Sequence, residues 1–505
     1  GKQFFVSLAG DFHLPEGPFR DCLLPEFSCI LFSSPSMRMK IRIPLVVIFL
    51  LFVAGGFTRL DSEPLFKKPA SFSQNREFLE FNLFDGNKGM VLPSSLSGRI
   101  SKAESNPLTR GLLHGYMKRK FGLITFDREM IGLTSEVQDG TEVHVFGCAA
   151  CHSGKAAGLF IPGLGNKTFD VFQGGHELES YLQWERRVKP EQRTDDSSKR
   201  SAEFAAIVGN PGNANATRGI VNDVLVWQRL DPAHHHAQLP PAFVKIPAVW
   251  GFATKTKAGF FCDGFGEGIG WMAAVPLSAG LSENAILDNQ GKLETIERIF
   301  RCFEAPMYPF KIPAGLRTRG AAVFAENCRR CHGDYARDDN GRPVYQTPRW
   351  ISIESVKTDR TRLQFPKGFF DALEENPLHP ILYCRADYEP GYLAPRLEGI
   401  WSRFPYLHNG SVPSLEALLT IPGERPEVFS MKNAGEQWRF NEVSVGLRAP
   451  ARGSVEMRLL KNLADRGDRN IYDTSRLGLS NEGHPFGTLL PAADKRALIE
   501  YLKSL

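Results

Sequence analysis

Apolar residues are unevenly spread along the chain, and three stretches carry a readable pattern. The first is the run Ile41 to Phe57 (IRIPLVVIFLLFVAGGF), preceded by Arg38 and Lys40 and interrupted by Arg42. Its unbroken part, Leu45 to Ala54, is ten residues long. A membrane-spanning helix needs about 20 residues, whereas a signal-peptide core needs about 7–15. Small residues follow (Ala54, Gly55, Gly56), but there is no clean A-x-A cleavage site. Residues 37–58 therefore read as a signal peptide or a membrane anchor. A signal should begin a chain, so residues 1–36 are expected to be an upstream extension or an artefact, with translation starting at Met37 or Met39. A cytoplasmic tail on an anchored protein is the alternative.

The second stretch, Leu316 to Asn327, predicts a helix that runs directly into Cys328. Gly320 and Phe324 lie four apart on it, so a small notch and an aromatic ring share one face. The third, Pro491 to Leu505, places Leu498, Tyr501, Leu502 and Leu505 on one face of a terminal helix. Elsewhere the pattern is weaker. Residues 59–110 are polar and Pro/Ser-punctuated, with no strong helical stripe. Leu112 to Asp170 mixes short apolar pieces with Gly turns, and Gly140 to Gly147 is β-prone. Glu185 to Arg200 reads as an exposed loop. Residues 240–272, rich in Gly and aromatics, suit a folded loop around something bulky.

Composition narrows the class of protein. The chain has 505 residues, of which 42% are hydrophobic and 23% charged, which excludes a disordered or fibrous chain. A net charge of +5 is too dilute to argue for nucleic-acid binding. Nine cysteines are too few for a disulfide-dense scaffold, but four of them form two tight pairs.

Those pairs are Cys148-Ala-Ala-Cys151-His152 and Cys328-Arg-Arg-Cys331-His332, both C-x-x-C-H. On a helical turn, thiols at i and i+3 share a face and reach the two vinyl groups along one porphyrin edge. The histidine at i+4 then meets the iron. Composition alone gives roughly 0.004 chance matches to this pattern. Zinc sites usually separate their pairs by about 15–20 residues and need no adjacent histidine. No βαβ pattern supports a thioredoxin-like pair. Two covalently bound c-type haems follow, with His152 and His332 as proximal ligands. Haem of this type is attached outside the cytoplasm, so a periplasmic or extracytoplasmic location is expected, with residues 41–57 as the anchor if the signal is retained.

The sixth ligands are less legible. For the second haem the candidates are His379, His408, His484, Met431 and Met457. His484 is favoured, because it lies in a Gly-rich loop just before the final helix. For the first haem, His144, His176 and Met272 are nearby without a persuasive setting, and an open iron face points toward catalysis. The run His234–His236 and the carboxylates Asp263 and Glu267 read more simply as solvated loop residues.

Arg396 to Leu418 contains LEGIWSRFPYLHNGSVPSLEAL, which closely resembles a signature of bacterial dihaem cytochromes related to cytochrome c peroxidase and MauG. Within that superfamily it looks most like the RoxA-like (rubber oxygenase-like) branch. The resemblance also takes in Pro162 to Asn166, Pro247 to Gly251 and the Gly483-His484 region. It implies a mainly α fold with long irregular loops: two cytochrome c-like domains, each covalently holding one haem. The second domain begins after the Pro-rich joint at Ala305–Gly315, giving 59–308 for the first haem domain and 309–505 for the second. It further implies a reactive N-terminal haem with an open distal face, and a C-terminal haem that relays electrons. Phe265 would be the distal-pocket aromatic and Trp250 a tryptophan between the haems. Tyr406 and His408 would lie near the haems in structural or proton-handling roles. The chain is shorter than the polymer-cleaving oxygenases, and no methionine sits convincingly where peroxidases ligate their electron-entry haem.

The leading expectation is therefore a haem oxidoreductase acting on peroxide or O₂. Electrons would come from a small redox protein or a quinone-linked donor, and an oxygenase would also take an apolar organic substrate. A non-catalytic periplasmic electron carrier is the alternative, and a haem-based sensor is weaker. No nucleic acid is expected as a partner.

Overall fold

The computed structural model describes residues 92–181, 211–214, 242–250, 283–382 and 390–505, with short gaps in the first and fourth ranges. The run 41–57, His176, His234–His236, Asp263, Phe265, Glu267 and Met272 lie outside the described residues, as does the charged stretch 185–200. The chain divides into two compact units, Gly1–Asn75 with His176–Ala202, and Arg76–Gly175 with Glu203–Leu505. Both cysteine motifs belong to the second unit. Among the described residues, no helix is long and apolar enough to cross a membrane.

Helices α1 (Ser94–Glu104) and α2 (Pro107–Phe121) occupy a region where the sequence offers no strong helical stripe. The ends of α2 account for it. Asn106 accepts a hydrogen bond from the Leu108 amide at 2.9 Å, Pro107 takes the first helical position, and a left-handed Gly122 closes the last turn. Capping rather than amphipathicity marks this helix.

A hairpin follows, β1 (Leu133–Gln138) antiparallel to β2 (Thr141–Phe146), with Leu133 opposite Phe146. Val143, Val145 and Phe146 are buried, so the β-prone approach to the first cysteine pair is a half-buried strand. It feeds α3 (Cys148–His152), a single turn carrying the first motif. Helix α4 (Gln290–Cys302) packs Ile296, Ile299 and Phe300 into one apolar cluster with Ala149 and Val249.

The second motif is held differently. Helix α5 (Ala314–Asn327) leads into α6 (Arg329–His332), and α5 packs against the terminal helix, α8 (Ala492–Lys503). Between them in sequence, α7 (Val455–Asp465) lies beside the pair of strands Val428–Ser430 and Ile471–Asp473. The α5–α8 contact depends on Gly320. A Cβ there would sit 2.0 Å from the Ala497 carbonyl oxygen and 2.8 Å from Tyr501 Cβ, so only glycine lets the backbones approach this closely. One turn on, Phe324 meets Tyr501 and Tyr335 with ring centroids 5.2 and 5.8 Å apart. Arg319 pairs with Asp494, in the first turn of α8, at 2.7 Å.

Small sheets accompany the helices: the described residues contain eight, each of two antiparallel strands. The largest apolar cluster draws on both halves of the unit, joining Ile161, Leu164, Phe243 and Trp250 to Phe324, Trp401, Phe404, Tyr406, Phe429 and Tyr472.

Candidate functional site

The two cysteine motifs share one feature that no side-chain pattern announces. His152 Nδ1 lies 3.0 Å from the Pro247 carbonyl oxygen, and His332 Nδ1 lies 3.1 Å from the Pro395 carbonyl oxygen. In each case the ring donates Nδ1–H to a proline carbonyl, which fixes the tautomer and leaves Nε2 as the free lone pair. That is the state in which imidazole binds a metal. Burial works in the same direction. It pushes His152 down to about 4, and it lowers His332 as well, so both rings are neutral near pH 7.

Cys148, Cys151, Cys328 and Cys331 are all half-buried free cysteines. Burial raises the Cys151 thiol to about 12 and Cys328 to about 11, each helped by its partner cysteine.

The second site also brings a second imidazole to the first. The His332 and His484 ring centroids lie 6.3 Å apart. Two metal–imidazole bonds of about 2.0 Å, plus the offset of each nitrogen from its ring centre, span about 6 Å. His484 Nδ1 is buried without a hydrogen-bond partner, and burial pushes the ring down to about 3, with His332 and Arg425 adding to the effect. Two thiols, a tautomer-fixed imidazole and a facing imidazole fit a covalently attached haem at Cys328–His332. The loop carrying His484 is pinned: its amide donates to Val356 O at 2.7 Å, and its backbone is left-handed at φ 46°.

At the first site, the aromatic ring found beside His152 is Phe300, 6.2 Å away and fully buried. Phe265, expected as the distal aromatic there, is outside the described residues. His144 faces Ser135 across the β1–β2 hairpin, with its amide bound to Ser97 Oγ, and burial lowers its pKa.

The remaining expected site residues divide by environment. Trp250 is buried, and its Nε1–H donates to the Glu398 carbonyl at 3.0 Å. Tyr406 is buried too; its hydroxyl lies 3.2 Å from Ile400 O and 3.3 Å from Val445 O, so it ties two backbone segments together. His408 stacks on Tyr392 with centroids 4.5 Å apart. Both its ring nitrogens are buried without a hydrogen-bond partner, and burial, with Arg362 nearby, pushes it down to about 3. Met431 is buried in the main cluster, and Met457 Sδ accepts the Gly453 amide at 3.3 Å. His379 opens a short helix, His379–Leu382.

Several residues that shape the sites escape sequence reading. The Pro247 and Pro395 carbonyls are backbone atoms with no compositional mark. Lys245 Nζ donates to Arg403 O at 2.6 Å and Pro405 O at 2.8 Å, clasping the turn before Tyr406. Arg425, in the unremarkable string Gly-Glu-Arg-Pro, is almost wholly buried.

Comparison with known proteins agrees on the C-terminal part. Residues 391–430 match the family model described as RoxA-like, cytochrome c-like. A cytochrome c-like domain of that kind implies covalently bound c-type haem. The matched span contains the LEGIWSRFPYLHNGSVPSLEAL segment and Pro395, and neither cysteine motif. Two uncharacterized proteins of Sinorhizobium fredii (strain NBRC 101917 / NGR234) are also similar. One, y4iJ, is 27% identical over 43% of this chain and 44% of its own length. The other, y4iM, is 29% identical over 53% of this chain and 66% of its own length. Each match spans less than two thirds of the relative.

Proposed function

We propose that the protein is an exported dihaem c-type cytochrome of the RoxA-like branch of the cytochrome c peroxidase/MauG superfamily. It is a haem oxidoreductase that acts on peroxide or O₂ at the Cys148–His152 site. The Cys328–His332 site relays electrons from a small redox protein or a quinone-linked donor. The first haem domain is 59–308 and the second 309–505. An oxygenase of this kind would also take an apolar organic substrate, and residues 41–57 would serve as signal or anchor for work outside the cytoplasm.

The observation that carries this reading is the contrast between two otherwise matched motifs. Each proximal histidine donates Nδ1–H to a proline carbonyl, yet among the described residues His332 faces a second imidazole at 6.3 Å while His152 has the Phe300 ring beside it. An iron held between two histidines suits electron transfer, and one with a free face suits binding of a small oxidant. When bound, the haems supply the electron exchange and the redox chemistry. The chain's own residues do the positioning. Pro247 and Pro395 orient the proximal rings. Ile296, Ile299 and Phe300 supply an apolar wall beside Cys148 that excludes water from the first site. Trp250 bridges the segments that carry the two proline carbonyls.

The test is a haem count with optical and EPR spectra of the purified full-length protein. Two haems per chain are expected, one low-spin with bis-histidine character and one that is high-spin and responds to peroxide or CO. Two low-spin, unreactive haems would instead make the protein an electron carrier. Assays with reduced cytochrome and peroxide, or with an isoprenoid and O₂, then separate peroxidase from oxygenase.

A further inference from the structure

Arg425 is 1% exposed, and its guanidinium is tied to backbone rather than to a carboxylate, with Glu482 acting on its charge only from further off. Isolated buried charges are costly, so such a group persists only where its hydrogen bonds are satisfied. Here they are satisfied entirely by backbone. Nε lies 3.2 Å from Ala417 O and 3.1 Å from Thr420 O, and one terminal nitrogen lies 3.0 Å from Leu418 O. These are carbonyls at the C-terminal end of the short helix Leu415–Leu418, where a cation is favoured. On its other side the guanidinium holds Asn481 O at 2.6 Å, Gly483 O at 2.8 Å and His484 O at 3.2 Å. Three carbonyls of one four-residue loop thus converge on a single side chain.

That loop cannot adopt its shape unaided. Gly483 is left-handed at φ 92°, and a Cβ there would lie 2.5 Å from Thr358 N. His484 is itself left-handed at φ 46°, a region unfavourable for a non-glycine residue. Surroundings that over-determine the loop are required. They are the Arg425 fork, the Asn481 Nδ2 bond to Pro426 O at 2.9 Å and the His484 amide bond to Val356 O at 2.7 Å.

We propose that Arg425 is the positioning residue for the sixth ligand of the C-terminal haem, and that its buried positive charge raises that haem's reduction potential. The inference rests on the reading of His484 as that ligand. The planar five-donor fork spans carbonyls that an ammonium group cannot span together. Its positive charge, bound to the backbone of the ligand residue in a low-dielectric setting, disfavours the extra positive charge of the oxidised iron.

The experiment uses haem-loaded full-length protein and three variants, read by optical and EPR spectra and by potentiometric titration. Arg425→Met, with both haems still attached, is expected to convert part of the low-spin C-terminal signal to a high-spin, CO-binding form and to lower the midpoint potential of the fraction that stays low-spin. Arg425→Lys is expected to recover the potential but not the full low-spin signal. A wild-type spectrum or a wild-type potential in folded Arg425→Met overturns the proposal. Should that variant fail to fold, a wild-type spectrum in Arg425→Lys overturns it equally. His484→Ala tests the underlying reading separately. It should abolish one low-spin signal, and survival of that signal means that His484 is not the ligand, whatever Arg425 does.

Discussion

Tyr406 and His408 stand two residues apart in the same segment, and their surroundings assign them different work. The Tyr406 hydroxyl is occupied by two backbone carbonyls, so Tyr406→Phe should cost about 1 kcal/mol of stability and leave turnover intact. Urea denaturation beside a turnover assay checks this, and lost turnover at unchanged stability would restore a proton-handling role. His408 behaves oppositely. Its ring titrates near 6.5 when unfolded but stays neutral down to about 3 when folded. Between those values the unfolded chain binds the extra proton, so stability rises with pH and falls on acidification from 6.5 toward 3. The slope from one such ring approaches about 1.4 kcal/mol per pH unit below pH 6. His408→Phe should flatten the acid limb of a plot of stability against pH, and an unchanged limb would show that the ring is not the group responsible.

At the scale of elements, the α5–α8 crossing can be tested with two glycines of the same helix. Gly320→Ala drives a methyl into the Ala497 carbonyl and should cost about 1–3 kcal/mol by overpacking. Gly315→Ala meets nothing within 4 Å and should be neutral or stabilising by up to about 1 kcal/mol. Equal effects from the two would mean that the helices do not cross at Gly320. The parts that meet at this crossing were legible in the sequence because a notch, an aromatic and a terminal apolar stripe are all side-chain signals. So were the cysteine turns and the loop bearing His484. Helix α2 was not, since its evidence lay in Asn106, Pro107 and Gly122 rather than in a stripe. The proline carbonyls and the Arg425 cage were invisible for a deeper reason. Their chemistry belongs to backbone oxygens, and a buried arginine flanked by Glu424 and Pro426 looks like any exposed turn. What a sequence displays is the ligand, while what holds the ligand is often main chain.

Across the whole second unit, the two motifs are joined by a short continuous path. His152 binds Pro247 O, and three residues later Trp250 Nε1 binds Glu398 O. Three residues back from Glu398, Pro395 O binds His332. Other ties run alongside, including Arg469 Nε to Asp170 Oδ2 at 2.8 Å and Asn213 Nδ2 to Asn409 O at 2.5 Å. The Trp250–Glu398 bond directly joins the two segments that orient His152 and His332, so loosening it should be felt at both sites. Trp250→Phe keeps an aromatic ring but leaves a buried carbonyl without its donor, at a cost of about 1–3 kcal/mol. On the proposed dihaem reading, the expected outcome is a shift in the midpoint potentials of both haems, with both still attached and His484 still ligated. His484→Ala, by contrast, should move the C-terminal potential alone. Potentiometric titration followed at wavelengths that distinguish the two haems checks both. A Trp250→Phe protein in which only one potential moves would show that the proximal rings are set independently, and that the path through Pro247, Trp250, Glu398 and Pro395 is structural adjacency without coupling.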